Sequence, residues 1–298
     1  MPGRNIKKLA IPIVSIVILL VALITTTYTW LQSNQRTDSN GTEMAIEAET
    51  YNLIIDRSDT RYNSYDSVSN FKDMFSSDYS YDLTNSSTAS SPKIGFELHN
   101  EFIHDHEYYL MPGSYGTLTF YIQPHDDVGD IIVNLNITLG GFKKRYEEDL
   151  EHHMNLVFDE VTDDNVLNIL KGHIMFFTGR TGANYESYKY SGLIENEAFT
   201  YNTSGKAKST DPGKEDCYKV VIYWDWPVTY SGIVAATGSG KKYPSRVTTY
   251  INNHRNYFFA SNQNSNDEDL LNDGYNEGDQ LIGDNVSFLV VYLSNMEE

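Results

Sequence analysis

Cysteine is almost missing from this chain. Cys217 is the only one among 298 residues, so no internal disulfide can form. Secreted eukaryotic domains more often carry several, and a single cysteine fits a bacterial surface protein with an ordinary core. Basic residues are also scarce, 22 Lys and Arg against 41 Asp and Glu, for a formal charge of −19. A surface of that sign repels nucleic acid and anionic lipid, which argues against both as ligands of the folded part. Signatures of common chemistry are missing as well. No H-E-x-x-H pair, complete G-x-x-x-x-G-K-[ST] loop or D-x-[DN]-x-[DN]-G loop occurs. No repeat of fixed period is present.

What the chain has is one long hydrophobic run, Leu9 to Leu31, without a charge. Arg4, Lys7 and Lys8 precede it, and no acidic residue occurs before Asp38. About 20 apolar residues cross a bilayer as a helix, and the basic flank stays in the cytoplasm. Gln32 onward is therefore expected outside. Two fates remain open. The run is either an uncleaved signal anchor or a signal peptide removed on secretion. As an anchor, Leu9, Ile16, Leu20 and Ile24 lie in the hydrocarbon, and Trp30, with Tyr28, sits at the interface. As a signal peptide, its apolar core is Leu9 to Ile24, with no A-x-A cleavage site after it. The resulting organisation is a basic tip at 1–8, the membrane run at 9–31, a polar linker at 32–43 and an exterior domain at 44–298. The protein is then a single-pass membrane protein with an exterior C-terminal domain, or a secreted one.

The exterior part reads as mainly β. Met44 to Asp56 is the first strand candidate, with Met44, Ile46 and Ala48 on one face. Ile94, Phe96 and Leu98 alternate. Leu110-Met111-Pro112-Gly113 makes a turn of the type II preference. Leu118, Phe120 and Ile122 then share a face. Ile131, Val133, Leu135, Ile137 and Leu139 give the cleanest half-buried strand, which Gly140-Gly141 is expected to end. Leu150, Met154, Val157, Phe158 and Val161 recur at helical spacing. Asp163 or Asp164 caps a short helix through Leu170. Tyr218 to Val228 is the most aromatic strand: Val220, Ile222, Trp224 and Trp226 share one face, and Asp225 points the other way, towards solvent. Ser245 starts a helix whose stripe is Val247, Tyr250, Ile251, His254 and Phe258. A short helix between loops is expected within Asn262 to Asp284, and Val286 to Leu293 closes the chain as a central strand. The architecture expected is a β-sandwich with helical insertions between strands.

Several constellations carry candidate chemistry. His104 and His106, near His99, would share a strand face and start a metal site, or simply form a polar strand end. Asp267, Asp269, Asp273 and Asp279 belong to an acidic cluster with the hard oxygen ligands calcium takes, or to a solvated helix start. No cofactor is implied by a motif, and calcium is the one ion whose ligands are numerous. Trp224, Asp225 and Trp226 form either a sugar-stacking platform with a carboxylate or part of a core strand. Gly238-Ser239-Gly240-Lys241-Lys242 is half a phosphate loop, but Lys242 stands where the magnesium-binding Ser or Thr belongs.

Three stretches together resemble a known family. Thr25 to Leu31, T-T-T-Y-T-W-L, is similar to the ending of the specialised signal peptides of bacterial biofilm operons. Leu110-Met111-Pro112-Gly113 with Leu118 to Ile122 resembles the turn and strand that open the sandwich of camelysin and TasA-like matrix proteins. Gly278-Asp279-Gln280 and Val286 to Leu293 occupy the place of their short turn and closing strand. The resemblance implies a jelly-roll-like sandwich, export from a Gram-positive-type cell and self-association into surface fibres. It transfers no catalytic residue. The expectation is a non-catalytic cell-surface or matrix protein. The alternative is a membrane-tethered carbohydrate-binding or glycan-hydrolysing domain using Trp224, Asp225 and Trp226.

Overall fold

The computed structural model describes residues 44–47, 51–55, 93–97, 99–102, 110–125, 129–148 and 154–296. All of them lie within the unit Gly41–Glu298. The hydrophobic run with Leu9, Ile16, Leu20, Ile24 and Trp30, and also His104, His106 and Leu150, fall outside the described residues. Among the described residues no helix is long and apolar enough to cross a membrane.

The described strands are β1 (Met44–Glu47), β2 (Tyr51–Ile55), β3 (Lys93–Glu97), β4 (His99–Asn100), β5 (Tyr115–Pro124), β6 (Ile132–Glu148), β7 (Met154–Glu160), β8 (Met175–Thr181), β9 (Lys189–Leu193), β10 (Ala198–Asn202), β11 (Tyr218–Asp225) and β12 (Phe288–Asn295). The helices are α1 (Asp164–His173), α2 (Tyr230–Ala236), α3 (Arg246–Asn253), α4 (Arg255–Phe258) and α5 (Glu268–Asn285). The strands form two antiparallel sheets. The first runs β1-β2-β5-β11-β8-β9, with β4 also on β5; the second runs β10-β6-β12-β3, with β7 on the far half of β6.

Period-two patterning explains the main core. Leu118, Phe120 and Ile122 of β5 and Val220, Ile222 and Trp224 of β11 point the same way from the first sheet. They join Val133, Leu135, Ile137 and Leu139 of β6 and Leu289, Val291 and Leu293 of β12 in one buried cluster. Fully burying a Leu, Ile or Phe side chain is worth about 1.5–3 kcal/mol, so this cluster sets which face of each sheet turns inward. The opposite face of the first sheet is also covered at its β8–β9 end. There Met175, Phe177 and Tyr190 pack with Ile233, Val247, Phe258 and Tyr275 of the helices. β11 runs between these two apolar layers, and that placement creates the site described below.

The Pro112-Gly113 turn is present. Ser114 N–H donates to Met111 O at 2.9 Å, and Gly113 has φ +95°, which a non-glycine residue rarely adopts. Asp163 caps α1, accepting from Asn165 N at 2.8 Å. β12 is central, between β6 and β3.

Other expectations are corrected. Met44 to Asp56 is not one strand but two, β1 and β2, paired antiparallel with Met44 opposite Ile55. Gly140 and Gly141 lie inside β6 rather than ending it. Their role is close approach: a Cβ on Gly140 would meet the Tyr292 ring of the neighbouring strand at 2.5 Å. The segment expected as a helix around Met154 to Val161 contains β7. Its apolar residues fit both periods, since Met154, Leu156 and Phe158 also alternate, and the partner edge offered by the long β6 selects the strand. Ser245 makes no side-chain cap, and the helical stripe is broken at His254 into α3 and α4. Gly278-Asp279-Gln280 lies within α5, which is 18 residues long, and is not a turn.

Candidate functional site

Two buried polar clusters stand out, and both involve residues at the end of β11. The first centres on Asp225. β11 pairs with β5 on one side and β8 on the other, so Asp225 lies opposite Tyr115 and Met175. Its side chain leaves the main core for the opposite face, as the alternation requires. That face is roofed by the helical layer, and Asp225 is 0% exposed instead of reaching solvent. A buried carboxylate needs partners. The Tyr190 hydroxyl donates to Oδ1 at 3.3 Å, the Tyr243 hydroxyl donates to Oδ2, and Lys242 Nζ lies 3.3 Å from Oδ1.

Lys242 reaches this position because its backbone is fixed. Tyr190 N–H donates to Lys242 O at 2.7 Å, and the Thr237–Tyr243 bridge closes the loop behind it. The half phosphate loop thus serves to insert a lysine into the fold. Lys242 Nζ stands 3.5 Å above the Tyr185 ring centroid, a cation–π geometry for the charged ammonium. Tyr185 in turn stacks on Tyr115 at 4.2 Å. Beside them Arg180 lies over Tyr188 and Tyr223 and pairs with Glu101 at 3.1 and 3.4 Å.

Electrostatics follows burial. Loss of solvent pushes the Asp225 carboxyl above its ordinary range, against the opposing pull of Lys242 and the hydroxyls. It pushes Lys242 below its ordinary value, with Asp225 opposing. Tyr185, Tyr190 and Tyr243 are all raised, first by burial and then by the nearby carboxylate, so they act as hydroxyl donors.

The second cluster centres on Asp279 of α5. Its Oδ1 lies 2.7 Å from His173 Nδ1 and accepts from Trp226 Nε1 at 2.8 Å. His173, the last residue of α1, is fully buried, and its Nε2 lies 3.1 Å from Phe258 O. The ring stacks on Tyr275 at 4.0 Å, and the Tyr275 hydroxyl donates to Pro227 O at 3.0 Å. One carboxylate oxygen therefore joins α5, α1 and the strand end.

The sugar-platform residues need correction. Trp224 is 0% exposed, Trp226 4% and Asp225 0%. The indoles sit in the core between the sheets, so neither presents a face to a solvent-borne sugar. Asp267, Asp269, Asp273 and Asp279 do not converge on an ion either. Asp267 caps α5 by accepting from Asp269 N at 3.0 Å, and Asp279 is taken by His173 and Trp226. Asp269 and Asp273 share a helix face at i and i+4, but Asp279 falls on another face and is taken by its own partners. Among the described residues no group of three or more His, Cys, Asp or Glu is gathered as a metal site. His99 lies in β4, opposite Thr117.

Sequence reasoning read Lys242 only as a misfit in a phosphate loop and passed over Tyr190, Tyr243 and His173. The strand itself carried no signal, since Trp224 and Trp226 point to the face opposite Asp225 and their burial says nothing of its surroundings. A third feature is a small cavity between β6 and α1, lined by Ile137, Leu139, Ile174, Phe176 and Glu197. Glu197 accepts from Lys171 at 3.2 Å through one oxygen, while the other is buried without a partner among the described residues.

Comparison with protein-family models, curated proteins and solved structures finds no match.

Proposed function

We propose that this chain is an exported structural protein of a bacterial cell surface or extracellular matrix, acting without catalysis and held by, or released from, the membrane at Leu9 to Leu31. The observation that carries this reading is that the buried Asp225 and the partly buried Asp279 are both engaged by partners within the chain. Asp225 is met by Tyr190, Tyr243 and Lys242, and Asp279 by His173 and Trp226. Each set is drawn from separate elements, so each behaves as a brace between them. A catalytic carboxylate needs a face open to its substrate, whereas a structural fold gains from internal ties between its elements.

The finer architecture we infer is a jelly-roll-like sandwich with helices inserted between strands. Two antiparallel sheets sharing one apolar cluster support it, as do helices confined to connections. The resemblance to camelysin and TasA-like proteins supports the same reading through the Pro112-Gly113 turn and the β5 strand that follows it. β1 ends the order of the first sheet, and a terminal strand offers backbone groups that a second copy can pair with. The acidic surface keeps nucleic acid out of the list of partners. The carbohydrate-binding alternative lost its platform with the burial of Trp224 and Trp226.

External protease added to intact cells tests the placement. The chain beyond Leu31 should be digested while a cytoplasmic marker survives. Protection of the whole chain until lysis would put it on the wrong side of the membrane for this role.

A further inference from the structure

We propose that Lys242 and Asp225 join in an intramolecular isopeptide bond, a covalent tie between the loop after α2 and the end of β11. Three features of the site lead there, and none depends on the compartment in which the protein works. First, the reacting groups already touch: Lys242 Nζ is 3.3 Å from Asp225 Oδ1. Holding an amine and a carboxyl in contact converts a bimolecular condensation into an internal one, with effective concentrations far above any in solution.

Second, both groups are held by backbone. Asp225 is hydrogen-bonded into a strand with neighbours on both sides. Lys242 is fixed through its own carbonyl and through Tyr243, which is itself buried. The contact is therefore not the chance meeting of two long surface side chains.

Third, the surroundings suit the reaction. Amide formation needs a neutral amine and a protonated acid, and burial drives both groups towards those states. Tyr185, Tyr190 and Tyr243 wall the site, and Asp225 has no exposed surface. The Tyr190 and Tyr243 hydroxyls bond to the two carboxyl oxygens. Tyr243 is placed to donate to Oδ2, the oxygen that becomes negative as carbon turns tetrahedral, and Tyr190 faces Oδ1, the oxygen that leaves.

The chemistry balances without a further reagent. The Nζ lone pair attacks Cγ of the protonated carboxyl, and a C–N bond forms. One C–O bond then breaks, and its hydroxyl leaves with a proton from the nitrogen as one water. Tyr190, bonded to Oδ1, is positioned to relay that proton. Nothing is oxidised or reduced. The product is a secondary amide that closes a ring from residue 225 to residue 242.

The test is the mass of the full chain, purified and fully denatured. The wild-type chain should be lighter than its sequence by one water, and the Lys242→Arg variant should have its full mass. A wild-type chain at full mass overturns the proposal. So does the same loss in Lys242→Arg, because Asp225 cyclising onto the backbone nitrogen of Trp226 also sheds one water without the lysine. If the arginine variant fails to accumulate, fragmentation of the intact wild-type ion decides. A ring gives no separable products from backbone breaks between 225 and 242, whereas an open chain does.

Discussion

Replacing Asp279 with alanine removes one oxygen on which two buried donors converge. His173 Nδ1 at 2.7 Å and Trp226 Nε1 at 2.8 Å both lose their partner. His173 is fully buried and Trp226 nearly so, which leaves water little room to substitute. A buried donor left unmatched costs about 1–3 kcal/mol. Two of them give an expected loss of about 2–6 kcal/mol, before any effect on the packing of α5. In a chain of this size 1 kcal/mol moves the midpoint by about 2–4 °C, so the variant should melt roughly 4–24 °C lower. Asp279→Asn keeps an acceptor and should lose less than half as much. Denaturant unfolding of the two variants, read by tryptophan fluorescence, measures this directly. A double-mutant cycle with Trp226→Phe should show coupling of about 0.5–3 kcal/mol, as for groups in direct contact. If Asp279→Ala unfolds within about 0.5 kcal/mol of the parent, like an ordinary surface change, Asp279 does not brace these elements and the argument from internal ties fails.

Three further outcomes follow from the same structure. Glycines of α5 should respond with opposite signs. Gly283→Ala meets open space and should gain about 0.5–1 kcal/mol from helix propensity, whereas a Cβ at Gly278 falls 2.7 Å from His173 Nε2, so Gly278→Ala should destabilise in the same melting assay. Alkaline unfolding should accompany tyrosine ionisation. Burial raises Tyr51 to about 12, and Tyr185, Tyr190 and Tyr250 are pushed higher still. The folded state then holds protons that the unfolded chain releases from about pH 10. The contribution is intact below that pH and falls as pH rises towards 12, so tyrosinate absorbance should appear together with loss of near-ultraviolet dichroism. Millimolar calcium should leave the melting temperature almost unchanged, and a rise of several degrees would mean that the acidic residues of α5 bind the ion after all.

The parts of the fold legible in the sequence are those decided by local period. β5, β6 and β11 alternate cleanly and bury the face that the alternation marks, while β12, apolar on both faces, is buried on both as a central strand. The Asp163 cap and the Pro112-Gly113 turn are equally local. β7 was not legible, because a short apolar run satisfies both periods and only the neighbouring β6 edge decides. The candidate site was half legible. Trp224 and Trp226 were readable as core residues from Val220 and Ile222 on the same face. Asp225 was read towards solvent because the layer that roofs it is built from residues after Tyr230, and nothing in the strand announces that cover. His173 and Asp279 lie 106 positions apart, and no spacing rule connects them. Asp279 was read as a calcium ligand because its acidic neighbours in sequence are visible, while its real partners are distant.

The central claim is a structural role reached by export and association, and size against concentration tests it most directly. The exterior part, Asp38 to Glu298, should grow into larger ordered assemblies as its concentration rises, seen by sedimentation and by electron microscopy. A version starting at Arg57, which lacks β1 and β2, should assemble less. If the longer form remains a monomer at the highest concentration reached, the chain is not a matrix subunit and the proposed function is wrong.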